Sequence, residues 1–132
     1  MSNAPAIHEI YLLPDGVDKV VETKSTKIPN ASTFHLEKED HTLGNLLRAE
    51  LLRNPKVLFA GYKMPHPLDH SVDLKLQTTA DTSPLTVLQE DVNSLMRELG
   101  LIKKRFENEM TLHNMQSSDP NGMPYTVDRA YS

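Results

Sequence analysis

Apolar and polar positions along this 132-residue chain follow two rhythms. Residues 32–37 and 71–79 alternate with period two. In the first stretch Phe34 and Leu36 share one face, and Thr33, His35 and Glu37 the other. In the second, Val72, Leu74 and Leu76 oppose Asp73, Lys75 and Gln77. Period two predicts half-buried strands, and a wet face on each points to an antiparallel sheet with helices on one side only. Residues 7–13 and 57–64, rich in β-branched and aromatic side chains, are further expected strands. Pro14-Asp15-Gly16 ends the first, and Pro65 and Pro67 the second. Residues 18–30 are charged and rich in Thr and Ser, close on Pro29-Asn30, and are expected to be mostly loop.

The other rhythm is helical. Asp40 can cap a helix with its carboxylate, and Leu43, Leu46, Leu47 and Leu51 then recur on one side. Pro55 disfavours helical geometry at Asn54, so this helix should stop near Arg53. Ser83-Pro84 opens a second helix, with the proline at its first position. Along it Leu85, Leu88, Val92, Leu95, Leu99, Ile102 and Phe106 alternate spacings of three and four, like a coiled-coil seam. The resulting β-β-α-β-β-α order predicts a two-layer α+β fold. It occupies one domain over residues 1–117. From residue 118 onward polar residues and Asp119-Pro120-Asn121-Gly122 replace the pattern, and residues 118–132 are expected to form a mobile tail.

Both helices carry more apolar surface than one sheet can cover. The second, continuous to about residue 116, would be about 50 Å long at 1.5 Å per residue. A domain of this size has a diameter of about 35 Å. The leucines of the first helix span an arc of about 140°, and Ala49 and Leu52 extend it past about 200°, where a stripe somewhat over 100° suffices for packing on a sheet. A glycine inside a helix costs about 1 kcal/mol relative to alanine, so Gly44 signals the close approach of another element. Glu50 interrupts the arc and needs a basic partner or a rim position. The excess surface predicts a protein–protein interface, against the blander reading that the leucines fill a generous monomer core.

Composition narrows the chemistry. Acidic residues outnumber basic ones, 18 to 14, and gripping nucleic acid ordinarily takes a basic stripe. Lys103-Lys104-Arg105, flanked by Glu98, Glu107 and Glu109, reads as a solvated helix face, so no direct nucleic-acid contact is expected. The absence of cysteine excludes disulfides, thiolate metal sites and thiol nucleophiles. No apolar run is long enough to span a bilayer, and no secretory leader is legible; a soluble chain is expected.

The run from Asp40 to Arg48, Asp-His-Thr-Leu-Gly-Asn-Leu-Leu-Arg, resembles the signature of the small alpha-like (eleventh) subunits of eukaryotic RNA polymerase II. These are related to archaeal subunit L and to the dimerisation part of bacterial alpha. The resemblance continues through Lys56-Val-Leu-Phe-Ala-Gly-Tyr-Lys63, His66-Pro-Leu68 and Leu76-Gln-Thr-Thr79, with Asn3-Ala-Pro5 and residues 27–31, and covers about residues 1–115. It implies a non-catalytic nuclear subunit that heterodimerises with the larger alpha-like (third) subunit and seeds polymerase assembly for mRNA synthesis. On matching positions, Leu43, Leu46, Leu47 and Leu51 would enter the intersubunit helix bundle. Leu88, Val92, Leu95, Leu99 and Ile102 would join them from the long helix, with Phe106 continuing the seam. The equivalent subunit of polymerases I and III shares Asp-His-Thr-Leu-Gly-Asn and the following Asn-Pro. Residues 57–63 and the amino-terminal Asn-Ala-Pro resemble the polymerase II type more.

No catalytic or cofactor motif competes. His66 and His70 are four apart, but Pro65 and Pro67 exclude the regular helix on which such a pair best converges on zinc. Asp40, His41 and Thr42 are explained as helix-start residues, and the glycines are isolated rather than gathered into a phosphate-binding loop. Neither metal, cofactor nor enzymatic activity is expected. The remaining alternative is a stand-alone homodimeric binding module of the same fold.

Overall fold

A computed structural model describes residues 4–117 of the chain. The described residues divide into a unit ending at Met96 and a second beginning at Arg97. The first unit contains β1 (Val20–Lys24), β2 (Ala31–Glu37), α1 (His41–Arg53), β3 (Val57–Lys63), β4 (Ser71–Thr78) and the opening turns of α2 (Pro84–Ser117). The four strands form one antiparallel sheet in the order β1-β2-β4-β3, with β2 and β4 central.

Period-two burial is realised in both central strands. Phe34 and Leu36 of β2, with Val72, Leu74 and Leu76 of β4, face inward and are almost wholly buried. They are joined in one core by Leu47 and Leu51 of α1, Ala60 of β3, and Val87, Leu88 and Leu95 of α2. Thr33, His35, Asp73 and Lys75 alternate onto the opposite face, where they stay at least partly accessible. The α+β architecture read from the sequence is the one observed.

Its first strand lies elsewhere. Residues 7–13 form no strand; Ile7–Ile10 is a short 3-10 helix with no buried residue. The strand is Val20–Lys24, inside the segment expected to be loop, and it pairs with β2 from Val20 opposite Leu36 to Lys24 opposite Ser32. Edge strands need only one neighbour and little hydrophobicity: Val20, Thr23 and Lys24 are exposed, and Ser32 donates a 2.7 Å hydrogen bond to Glu22 Oε1. The chain turns back into β2 through Asn30, whose φ of 52° lies in the left-handed region that asparagine tolerates.

The helix boundaries follow from local chemistry. Asp40 caps α1, its Oδ1 accepting from the Thr42 amide at 2.9 Å, and this bond holds its carboxyl below the usual carboxylate range. Pro55 follows the C-cap Asn54, which has left helical geometry with ψ at 122°. At the start of α2, Ser83 Oγ accepts from the Thr86 amide, and Pro84 stands at the first helical position. The expected mobile tail, 118–132, lies outside the described residues.

Candidate partner interface

The apolar arc of α1 is split between two destinations. Gly44, Leu47 and Leu51 turn inward and are buried, Leu43 is half-buried, and Leu46 and Leu52 remain 38% and 53% exposed. Glu50 finds the basic partner it requires: Arg53 donates to its carboxylate at 2.8 Å. The close approach signalled by Gly44 comes from the chain itself, where the ring of Tyr62 on β3 lies against the bare glycine. Tyr62 Oη is also 3.0 Å from His41 Nδ1, and the two rings meet edge-on. His41 therefore braces the start of α1 against β3, a role its position in the sequence did not disclose.

The seam of α2 changes character along its length. At 100° per residue, Leu88, Val92, Leu95, Leu99, Ile102, Phe106 and Met110 fall within an arc of about 80°. Leu88 and Leu95 are buried and Val92 is partly buried against the core. Leu99, Ile102, Phe106 and Met110 are exposed, and no described residue after Leu95 is buried. A regular apolar stripe is thus left in water along the second half of α2.

Of the ten residues expected at the interface, then, Leu47, Leu51, Leu88 and Leu95 are buried in the chain's own core. Leu43 and Val92 stand at its margin, and Leu46, Leu99, Ile102 and Phe106 face water. Exposed Leu52, Leu85, Met96 and Met110 carry the same chemistry but were not among them. Leu52 and Leu85 already stood in the apolar patterns of their helices; the sequence does not say which side of an over-wide arc the core will claim.

Polar groups make contacts both within the core and on the open sheet face. Asp91 of α2 is buried, accepts from Asn54 Nδ2 at 2.8 Å, and leaves its second oxygen without a hydrogen bond. Burial pushes its carboxyl up from the usual aspartate range. On the open sheet face, Asp73 Oδ1 and Glu37 Oε1 lie 2.6 and 3.0 Å from the two ring nitrogens of His35, and the bond to Asp73 raises the imidazole's pKa most. His66 and His70 sit in the exposed turn before β4, and among the described residues no group of three His, Asp or Glu side chains could hold a metal ion. Lys103 pairs with Glu107 one turn along the exposed helix, 3.9 Å apart. No described helix is long and apolar enough to cross a membrane.

Residues 31–105 match the RNA polymerase Rpb3/Rpb11 dimerisation domain. The chain belongs to this family. DNA-directed RNA polymerase II subunit rpb11 of Dictyostelium discoideum is 47% identical over 104 residues, covering 79% of this chain and 87% of that protein. The probable polymerase II subunit RPB11 of Caenorhabditis elegans is 50% identical over 105 residues, covering 80% and 85%. Its Schizosaccharomyces pombe counterpart is 46% identical over 110 residues, covering 83% and 89%. The fold is shared with subunit L of the DNA-directed RNA polymerase from Thermoplasma acidophilum, at a TM-score of 0.59 and 20% identity, over 77% of this chain and 98% of that one. The sequence resemblance is thus upheld: this is a polymerase subunit of the Rpb3/Rpb11 dimerisation family. It is non-catalytic, in keeping with a family described by dimerisation.

Proposed function

We propose that this chain is a scaffold subunit of nuclear RNA polymerase II that heterodimerises with the larger alpha-like (third) subunit, and that this pair nucleates assembly of the catalytic subunits. The dimerisation domain runs to residue 117. Leu46 on α1, with Leu99, Ile102 and Phe106 on α2, contacts the partner directly, and Leu43 and Val92 lie at the edge of the contact. Leu47, Leu51, Leu88 and Leu95 act from behind, holding the two helices on the sheet.

The observation that carries this reading is the exposure of Leu99, Ile102 and Phe106, at 53%, 63% and 66%, along a stripe whose earlier members are core. A helical partner offering a matching stripe would bury it in coiled-coil fashion. Relatives of the chain named as polymerase II subunits favour that enzyme over polymerases I and III.

Co-expression with the third subunit tests the proposal. Ile102→Asp places a charge in the proposed contact, and an unpaired buried charge costs about 3–5 kcal/mol, enough to abolish co-purification. Lys104→Ala should leave it intact. Wild-type yield of the pair with Ile102→Asp, or a well-behaved homodimer of the chain alone in size-exclusion chromatography, would overturn the heterodimer reading.

A further inference from the structure

The face of the sheet turned away from the helices carries a second feature that the helical interface leaves unused. At the end of β2 and the start of β4, a cleft of about 740 Å³ opens beneath the amino-terminal 3-10 helix. Its volume falls within the range of about 300–1,000 Å³ typical of binding pockets. Ile10 and Leu68 form its apolar rim, Glu9, Glu37 and Asp69 supply carboxylates, and Lys38 lines it together with His35, His66 and His70. An adjoining hollow lined by Leu12, Leu13 and Pro14 shares Glu9 and Lys38 with it, so the two make a continuous groove. The flanking apolar side chains contribute little to the core: Ile7 and Leu68 are each 81% exposed, Tyr11 64% and Leu12 54%.

The geometry points to this groove as a docking site for an extended segment of a partner protein that carries a lysine or arginine between apolar residues. The adjoining hollow prolongs the cleft past Glu9 and Lys38, which gives room for an extended stretch of peptide. The groove's apolar rim suits aliphatic or aromatic side chains on either side of the cation. Charge sets the sign of the central residue. Glu37 is already engaged by His35 at 3.0 Å, whereas among the described residues Asp69 has His66 as its ion-pair partner, 3.9 Å away, so Glu9 and Asp69 are the carboxylates best placed to meet an incoming cation. A metal ion is not the occupant, because no group of three ligands converges among the described residues. The groove lies on the sheet face opposite α1, so its occupant does not compete for Leu46. Such a contact goes beyond helix pairing and gives the subunit a second, independent grip on an assembly.

Benzoylphenylalanine at position 68 of the full chain, irradiated in the purified assembled complex, tests this directly. The expected adduct is with one segment of another chain, mapped by mass spectrometry and holding Lys or Arg between apolar side chains. Glu9→Lys combined with Asp69→Lys should lower the adduct yield about tenfold, because like charges at an interface are strongly disfavoured, while co-purification through the helices is unchanged. If the double reversal disturbs folding, Glu9→Gln with Asp69→Asn replaces it and should lower the yield part-way. Retention of the helix partner in these variants separates failure of this site from failure of the heterodimer reading. Four results would overturn the proposal: no adduct in the complex; an adduct only with residues 118–132 or a second copy; a mapped segment without a cation; or a yield indifferent to the charge changes.

Discussion

Gly44 of α1 and Tyr62 of β3 are packed so closely that a Cβ on the glycine would lie 2.7 Å from the tyrosine's Cδ2 and 2.8 Å from its Cε2. The helix accepts a poor helix former at this position because the sheet comes nearer there than any side chain allows. Gly44→Ala should therefore destabilise the fold by about 1–3 kcal/mol through overpacking, despite a gain of about 1 kcal/mol in helix propensity. Urea denaturation measures the balance. Adding Tyr62→Leu should recover part of the loss; a stabilised Gly44→Ala single variant would show that the contact yields easily.

That packing also marks how far the sequence was legible. Gly44 announced a close approach, but an outside helix and the chain's own strand read alike until Tyr62 was placed. Periodicity located β2 and β4, whose apolar faces are buried, and α1 and α2, whose stripes are buried in part; β3 was legible from its β-branched and aromatic composition, although Ala60 is its one buried residue. Periodicity failed at β1, where Val20–Lys24 has one sheet neighbour and mostly exposed side chains, so its pairing with β2 rather than burial defines it. Pro29-Asn30 directly before β2 was the available signal, since a tight return implies a strand just upstream. Conversely, Ile7, Ile10 and Tyr11 have strand-like composition and no strand to pair with, and they stay in water. On α1 and α2 the apolar arcs were legible, but not which of their residues the core would claim and which would stay exposed. That depends on which side of each helix meets the sheet.

Asp91 gives a pH dependence whose sign is set by burial. Its folded pKa is raised above the unfolded value of 3.8, so its favourable contribution is complete below that value and is lost as pH rises through the folded pKa. Asp91→Asn retains an acceptor for Asn54 and removes the desolvated charge. Relative to the wild type, the variant should gain stability as pH increases from about 3 to about 7. Urea midpoints of both proteins across that window supply the check; a constant difference would mean Asp91 carries no such charge penalty.

His35 titrates in a higher window. Its pKa is raised above 6.5, chiefly by the hydrogen bond to Asp73 and also by Glu37, so its ion pairs stabilise the fold fully below pH 6.5 and lose that contribution as pH rises through the folded pKa. The imidazole is about one-third exposed, and solvent screening limits the effect to about 1 kcal/mol or less. His35→Gln should consequently cost most stability on the acidic side of neutrality and progressively less above it. An NMR titration of the His35 ring giving a midpoint at or below the ordinary histidine value would contradict this account.

Leu51 and Leu46 sit five residues apart on α1 and should fail in opposite ways. Leu51 is fully buried and Leu46 is 38% exposed. Leu51→Ala removes core methylenes and should lower stability by about 2–5 kcal/mol. Any loss of pairing should then follow the loss of folded protein. Leu46→Asp sits at the surface, where substitutions ordinarily change stability by no more than about 0.5 kcal/mol, yet it should weaken heterodimer formation by more than about tenfold if that surface is covered by a partner. An aspartate at Leu47 cannot separate these cases, because Leu47 is only 5% exposed and its replacement would disrupt the fold and the contact together. Measuring denaturation midpoints alongside co-purification for the Leu46 and Leu51 variants resolves the two roles. If Leu46→Asp pairs as well as the wild type, the contact surface is confined to α2.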